Sequence, residues 1–184
     1  MRLLLVITAA LLVGCGNQPD TQQLPNRAEA IDTTEVLEQG QEISKAAFKT
    51  LSSNLKMAME EGGVEKALKF CNVQAMPLTD SVSSQYDIEL RRASHRPRNP
   101  DNRADSLEME IIKQYLSQIE KDGKLKPVIE KTDEHVSYHA PIRITNQLCL
   151  SCHGQPGKDI AKADLETLRE LYPQDEATGF ELGE

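Results

Sequence analysis

The sequence predicts an α+β domain, and three observations carry that prediction. Long stretches of the N-terminal half place apolar residues at helical spacing. Two short stretches of the C-terminal half have the alternation and composition of β-strands. These strands do not alternate with helices along the chain, as the strands of a parallel sheet would. We therefore expect N-terminal helices, a small antiparallel sheet and further helical turns near the C-terminus.

Residues 1–14 are predicted to be a signal peptide. The opening "MRLLLVITAALLVGC" has one positive charge, at Arg2, followed by an apolar run too short to span a bilayer comfortably. Its last four residues resemble a bacterial lipobox, in which cleavage precedes the cysteine and that cysteine, here Cys15, carries lipid. The alternative is an uncleaved apolar anchor or a buried first helix. We expect an exported protein, on a periplasmic or outer face, anchored in a membrane by lipid at Cys15.

The polar stretch 15–33 contains two prolines and predicts a flexible tether, so the folded domain is expected over 34–184. A threonine, at position 33 or 34, is expected to cap a helix that runs to about residue 61, where Gly62-Gly63 ends it. A second helix is predicted over 64–86, bent at Pro77. The stretch "DIELRRAS" that follows alternates well enough to predict a strand.

The second half of the domain is expected to begin with an amphipathic helix over 104–121, which Gly123 ends. The segments 124–132 and 135–144 predict two strands that pair antiparallel around a short turn. A last helix is predicted over 160–171, before a proline.

The composition limits the classes of partner. The chain has 184 residues, with 21 Lys and Arg against 29 Asp and Glu, which gives a net charge of −8. A protein this acidic is not expected to bind nucleic acid. It has no Trp and only 4% aromatic residues, so a large flat prosthetic group could supply apolar surface that the sequence lacks.

The stretch "CLSCH", which places Cys149, Cys152 and His153 in one short segment, is the attachment signature of a c-type haem. Two thiols three residues apart in a helical turn can reach the two vinyl groups on one porphyrin edge. The next residue then directs its imidazole at the iron. We expect one covalent haem c, bound through Cys149 and Cys152, with His153 as an axial ligand.

Three other chemistries could use the same residues. A zinc site could take Cys71, Cys149, Cys152 and His153, although a histidine directly after a cysteine is awkward for one tetrahedral centre. A redox dithiol should follow an early strand of a parallel α/β fold, which this sequence does not predict. The last alternative is a structural disulfide with an incidental histidine.

The second axial position of the iron has several candidate ligands. They are His95, His135, His139, Cys71 and the methionines at 57, 59, 76 and 109. Methionine and histidine are the more common choices in cytochromes. Cys71 is distinctive because it is an unpaired cysteine on the apolar side of "ALKFCNVQA", where a thiolate without a cation or a metal would be unfavourable.

Four stretches resemble a family of single-haem c-type domains with a PAS-like fold. They are "ALKFCNVQA", "RRASHRPRNPDN" with the following "LEMEII", "YHAPIRITNQLCLSCHG" and "LYPQDEATGF". Members of that family occur alone or as extracytoplasmic sensor modules. The resemblance implies a PAS-like domain in which His153 and Cys71 bind the iron from opposite sides. Family members continue into a further strand after the region that matches "ATGF", so the resemblance leaves that sheet edge open here.

A group of arginines between Arg91 and Arg103 stands out in an acidic protein. Guanidinium groups match carboxylates in shape and charge, so Arg92 and Arg98 are candidates to contact the haem propionates. The alternative is that the loop is solvated or pairs with acidic residues of the chain itself.

We expect one-electron transfer with a redox partner protein rather than catalysis, since two axial ligands leave no iron position for a substrate. Thiolate ligation predicts a low reduction potential. The alternative is a haem-based redox or gas sensor that signals through a separate protein.

Overall fold

The computed structural model describes residues 32–121, 123–133 and 135–184. The predicted signal peptide, Cys15 and nearly all of the predicted tether lie outside the described residues. Within these ranges the chain is a mixture of helices and one two-stranded antiparallel sheet, which agrees with the predicted α+β class.

Helix α1 runs over Thr33–Tyr86 and is interrupted by two glycines. Gly62 (φ −167°, ψ 27°) and Gly63 (φ 67°, ψ −158°) leave helical geometry, so the predicted end of a first helix at this pair is confirmed as a break within α1. The predicted threonine cap is wrong, because the Asp32 side chain accepts the hydrogen bond from the Thr34 amide at 2.8 Å. Pro77 lies inside the second part of α1.

The strand predicted over 87–94 does not form. Asp87 has a left-handed conformation (φ 52°) that ends α1, and the Ile88 amide donates to the Ser83 carbonyl at 3.2 Å. The Ser83 hydroxyl donates to the Ile88 carbonyl and accepts from the Leu90 amide. These backbone groups are therefore occupied by the end of the helix and are not free to join a sheet. What remains is one isolated bridge between Ser94 and Arg103.

The later elements follow the predicted order. A 3₁₀ turn over Pro100–Asn102 precedes helix α2, Ser106–Lys121. Strands β1 (Val128–Lys131) and β2 (Val136–His139) pair antiparallel with Val128 opposite His139. The sequence prediction of an antiparallel pair is confirmed.

Two helices complete the described fold. Helix α3 spans Gln147–His153 and helix α4 spans Lys162–Leu171. Helix α1 packs against both of them and against the sheet. At the sheet, the ring of Tyr138 lies directly over Gly40 of α1.

The core between α1 and α4 is built from Leu68, Ile160 and Leu168, each no more than 3% exposed. Partly buried residues that pack around this group are Val64, Cys152, Leu165, Leu171 and Tyr172. The core therefore includes one of the two cysteines of the CLSCH segment.

None of the helices in the described part of the chain is both long enough and apolar enough to cross a membrane. The predicted export and lipid anchor depend on residues before Asp32 and stay predictions.

Candidate functional site

The CLSCH segment forms helix α3, which begins on a side-chain cap. The Asn146 side chain accepts hydrogen bonds from the amides of Leu148 (3.0 Å) and Cys149 (3.3 Å), and its oxygen also lies 3.6 Å from the Cys149 sulfur. Since residues three apart share one side of a helix, the helix places both cysteine side chains on the same side. His153 is its last residue.

Cys71 of α1 comes close to Cys152 of α3 through the core. Leu68, one helical turn before Cys71, belongs to the buried group that Cys152 packs against. Burial raises the pKa of Cys152 to about 11, and the neighbouring sulfurs of Cys71 and Cys149 add to that rise while Arg98 opposes it. The three thiols are free and partly buried. The structure thus brings together the three cysteines predicted to act at one site.

The imidazole of His153 is oriented by one backbone carbonyl. Its Nδ1 lies 2.9 Å from the Ala177 oxygen. Burial lowers the pKa of His153 to about 4, with a further lowering from the Arg98 guanidinium. The neutral ring therefore donates its single N–H from Nδ1 to Ala177 and keeps a lone pair on Nε2. Metal-binding histidines commonly have this arrangement.

Residues 175–180, here called the strap, run along the end of α3. The amides of Gly179 and Phe180 donate to the carbonyls of Gly154 (2.7 Å) and His153 (2.9 Å). The Glu176 amide donates to the carbonyl of Pro97 at 3.0 Å, which ties the strap to the arginine-rich loop as well. Helix α3, the strap and this loop therefore support one another.

Phe180 of the strap lies between two histidines. Its ring centre is 6.2 Å from that of His153 and 6.2 Å from that of His95, edge to face in both cases. The Arg96 guanidinium lies 4.1 Å from the same ring centre. An aromatic ring with these neighbours restricts the plane of the His153 imidazole.

Four of the five arginines in the loop are paired with acidic residues of the chain. The pairs are Arg91–Glu108, Arg96–Glu184, Arg98–Asp175 and Arg103–Glu176. These contacts correspond to the alternative that the sequence left open, in which the loop pairs with the chain's own carboxylates.

Arg92 differs from the other four. Among the described residues it has no carboxylate within ion-pair distance, and one Nη contacts the Met76 sulfur at 3.8 Å. Its Nε atom, like that of Arg98, is buried without a hydrogen-bond partner. Burial lowers its pKa, and the neighbouring groups of Cys71 and Tyr172 oppose that change. A partly buried guanidinium without a carboxylate partner can form an ion pair with a bound anion.

Arg98 has protein partners on three sides. Its Nη2 donates to the carbonyls of Cys152 and Ala177, and its Nε lies 3.3 Å from the Asp175 carboxylate. The prediction that Arg92 and Arg98 contact propionates stays a prediction, and the contacts favour Arg92 because, among the described residues, it has no carboxylate partner.

The other candidate ligands have different surroundings. His135 and His139 lie on the β-hairpin, where the His139 carbonyl accepts from the Tyr115 hydroxyl at 3.0 Å. Met57 is 51% exposed on the first part of α1, and Met76 contacts Arg92. Among the described residues, no group of three or more His, Cys, Asp and Glu side chains is arranged to hold a bare metal ion.

Sequence reasoning missed the residues that support His153. Ala177 acts through its backbone, and a backbone carbonyl leaves no sequence signal. Asp175 and Phe180 lie in "LYPQDEATGF", a stretch that carried the family resemblance without any assigned role.

Comparison with known proteins gives one positive result. The model of the Tll0287-like family, described as Tll0287, matches residues 22–184, which is most of the chain. No curated protein and no solved structure matches the chain.

Proposed function

The chain belongs to the Tll0287-like family, and we propose that this member binds one covalent haem c and exchanges single electrons with a partner protein. One observation carries the proposal. The neutral His153 imidazole is fixed with its lone pair on Nε2, at the end of the helix that holds Cys149 and Cys152, while Cys71 approaches from α1.

The two cysteines of α3 suit covalent attachment. Each thiol would add across one vinyl group, so that a carbon–sulfur bond forms and the thiol hydrogen passes to the other vinyl carbon. No atom leaves and no oxidant is consumed. The common side of α3 and the free state of both thiols support this role.

His153 and Cys71 would hold the iron. The Ala177 carbonyl keeps the N–H on Nδ1, which leaves Nε2 as the ligating atom. Burial raises the pKa of Cys71, so a free thiolate is disfavoured there, whereas a bound ferric ion would stabilise the thiolate directly. The haem supplies the one-electron redox couple, and a thiolate ligand favours its ferric form.

Arg92 would supply the positive charge for an anion at this site, either a haem propionate or the Cys71 thiolate. Its unpartnered Nε and the electrostatic link between its guanidinium and Cys71 support that role.

The wider features belong to the same proposal. The mixture of helices with a small antiparallel sheet is compatible with a PAS-like domain. We propose that the domain works outside the cytoplasmic membrane, held by lipid at Cys15. Because His153 and Cys71 would both hold the iron and leave it unable to bind a substrate, we propose electron exchange rather than catalysis.

The first experiment asks whether haem is attached. The full chain is produced in a host competent for cytochrome c assembly, and its intact mass and its absorption in alkaline pyridine are measured. We expect one haem per chain with a spectrum of saturated vinyl groups, and a variant with Cys149→Ala and Cys152→Ala should lack covalent haem. A colourless protein at its polypeptide mass, or one loaded with zinc, would end the proposal.

The second experiment tests the Cys71 ligand. Cys71→Ala should remove thiolate features from the ferric absorption and paramagnetic resonance spectra and raise the reduction potential. Val73→Ala, at an exposed position on the same part of α1, is the control and should leave both unchanged. An unaltered spectrum in Cys71→Ala would show that another residue binds the iron.

A further inference from the structure

We propose that Arg98 and Asp175 are positioning residues that adjust the electron donation of His153 through the carbonyl of Ala177. The inference rests on the proposed function, since it treats His153 as an iron ligand. It gives Arg98 a role different from the propionate binding predicted from the sequence.

The Ala177 carbonyl accepts two hydrogen bonds. One comes from His153 Nδ1 at 2.9 Å and the other from Arg98 Nη2 at 3.1 Å. A carbonyl oxygen has two lone pairs and can accept both. Because the guanidinium is charged, it draws electron density from the oxygen that the imidazole also uses. The imidazole then keeps its Nδ1 proton more firmly, and Nε2 is a weaker electron donor.

Asp175 acts in the opposite sense on the same group. One of its oxygens lies 3.3 Å from Arg98 Nε, and the other accepts the Ala177 amide at 2.7 Å. The side chains of Arg98 and Asp175 are only 13% and 10% exposed, so water screens their charges poorly. The carboxylate therefore reduces the pull of the guanidinium on the carbonyl, and the balance between the two sets the donor strength of His153.

The directions of the Arg98 contacts favour this role over propionate binding. Its Nη2 donates to the carbonyls of Cys152 and Ala177, and its Nε lies 3.3 Å from the Asp175 carboxylate as an ion pair without a hydrogen bond. These contacts connect the residue beside His153 with the carbonyl that accepts from His153, so any change at Arg98 is transmitted to the ligand along two hydrogen bonds.

The test compares reduction potentials of haem-bearing variants at pH 8, where carboxylates stay ionised. Arg98→Gln removes a positive charge and should therefore lower the reduction potential by ~59 mV. At a fixed applied potential, this raises the ferric-to-ferrous ratio about tenfold for a one-electron couple. Asp175→Asn removes a negative charge and should lower that ratio by a similar factor. The double variant should return toward the wild type, and Arg98→Lys, which keeps the charge, should change the ratio less than Arg98→Gln.

Arg103→Gln is the matched control. Arg103 also pairs with a strap residue, Glu176, but the two side chains are 50% and 47% exposed, so its loss should leave the potential unchanged. Hydrogen exchange at the amides of Gly179 and Phe180 reports separately whether the strap still lies against α3. These amides should stay protected in every variant.

Each possible result either supports or overturns the role proposed for Arg98 and Asp175. Opposite shifts in Arg98→Gln and Asp175→Asn with a protected strap support the inference. Shifts in the same direction, or shifts no larger than those of Arg103→Gln, overturn it while haem binding stands. Loss of strap protection in Arg98→Gln makes the residue a structural tie and also overturns it. A protein without haem removes the proposed function and this inference together.

Discussion

At the scale of single residues, Gly40 shows how one missing side chain fixes the packing of α1 on the sheet. A Cβ atom at this position would come 2.3 Å from Cγ of Tyr138, which is part of the rigid ring. Gly40 is buried within the helix, where glycine alone costs about 1 kcal/mol relative to alanine. The close approach of the tyrosine ring explains why a residue with poor helix propensity stands here.

We predict that Gly40→Ala destabilises the protein by about 1–3 kcal/mol, because overpacking outweighs the gain in helix propensity. Urea unfolding measures the change. In a Tyr138→Ala background the clash is absent, so the same substitution should stabilise by up to about 1 kcal/mol. If the sign of the effect is the same in both backgrounds, the contact with Tyr138 does not determine the residue at position 40.

Single residues also show how much of the candidate site could be predicted from the sequence. Cys71, Cys149, Cys152 and His153 were predicted as site residues because each type has chemistry of its own, and the structure places Cys71 near Cys152. The partner of His153 could not be found in this way, since any residue at position 177 offers the same backbone oxygen. Which arginine lacks an acidic partner depends on ion pairs such as Arg103–Glu176, whose residues lie 73 positions apart, and a pattern along the chain does not contain such contacts.

At the scale of elements, helix α3 depends on its first turn. It has only seven residues, so its own hydrogen bonds stabilise it weakly, and the Asn146 side chain satisfies two of its first amides. One of these belongs to Cys149. The position of the first thiol therefore depends on the cap.

We predict that Asn146→Ala destabilises the protein by about 0.5–2 kcal/mol, and that Asn146→Ser, which retains a capping oxygen, loses much less. Thermal unfolding of both variants measures the difference. Since Cys149 lies in the capped turn, the yield of covalent haem should fall in the same order. Equal stability of the alanine and serine variants would mean that α3 is held by the strap alone.

Elements with local signals were predicted well, and those set by tertiary contacts were not. The break at Gly62-Gly63, helix α2 and the β-hairpin follow from glycine and from apolar spacing. The segment 87–94 has the alternation of a strand, yet the end of α1 occupies its first backbone groups through Ser83. Alternation of apolar and polar residues indicates that a segment can adopt an extended conformation. Whether the segment joins a sheet depends on a neighbouring strand with free backbone N–H and C=O groups.

At the scale of the whole molecule, the strap connects stability to pH through His95. Burial lowers the pKa of His95, and Arg96 beside it lowers the pKa further, while Glu184 opposes both. A histidine with a lowered pKa binds its proton more weakly in the folded state than in the unfolded state. The contribution of His95 to the free energy of unfolding is therefore fully present above the unfolded pKa of about 6.5, and it decreases as the pH falls below that value.

We predict that His95→Gln reduces the loss of unfolding free energy between pH 7 and pH 5, because the group that takes up a proton on unfolding is gone. Urea unfolding of the wild type and the variant at the two pH values gives the difference, in which the contributions of other groups cancel. An identical pH dependence in the two proteins would show that His95 does not contribute.

The strap has a consequence for the order of assembly during synthesis. Arg96 bonds to the carbonyl of Glu176, 80 residues later in the chain, and the His153 ring bonds to Ala177. A nascent chain that already displays Cys149 and Cys152 cannot seat the His153 imidazole until translation has passed position 180. In the haem attachment proposed above, the two sulfurs would therefore be available before the neighbouring imidazole has acquired its final direction.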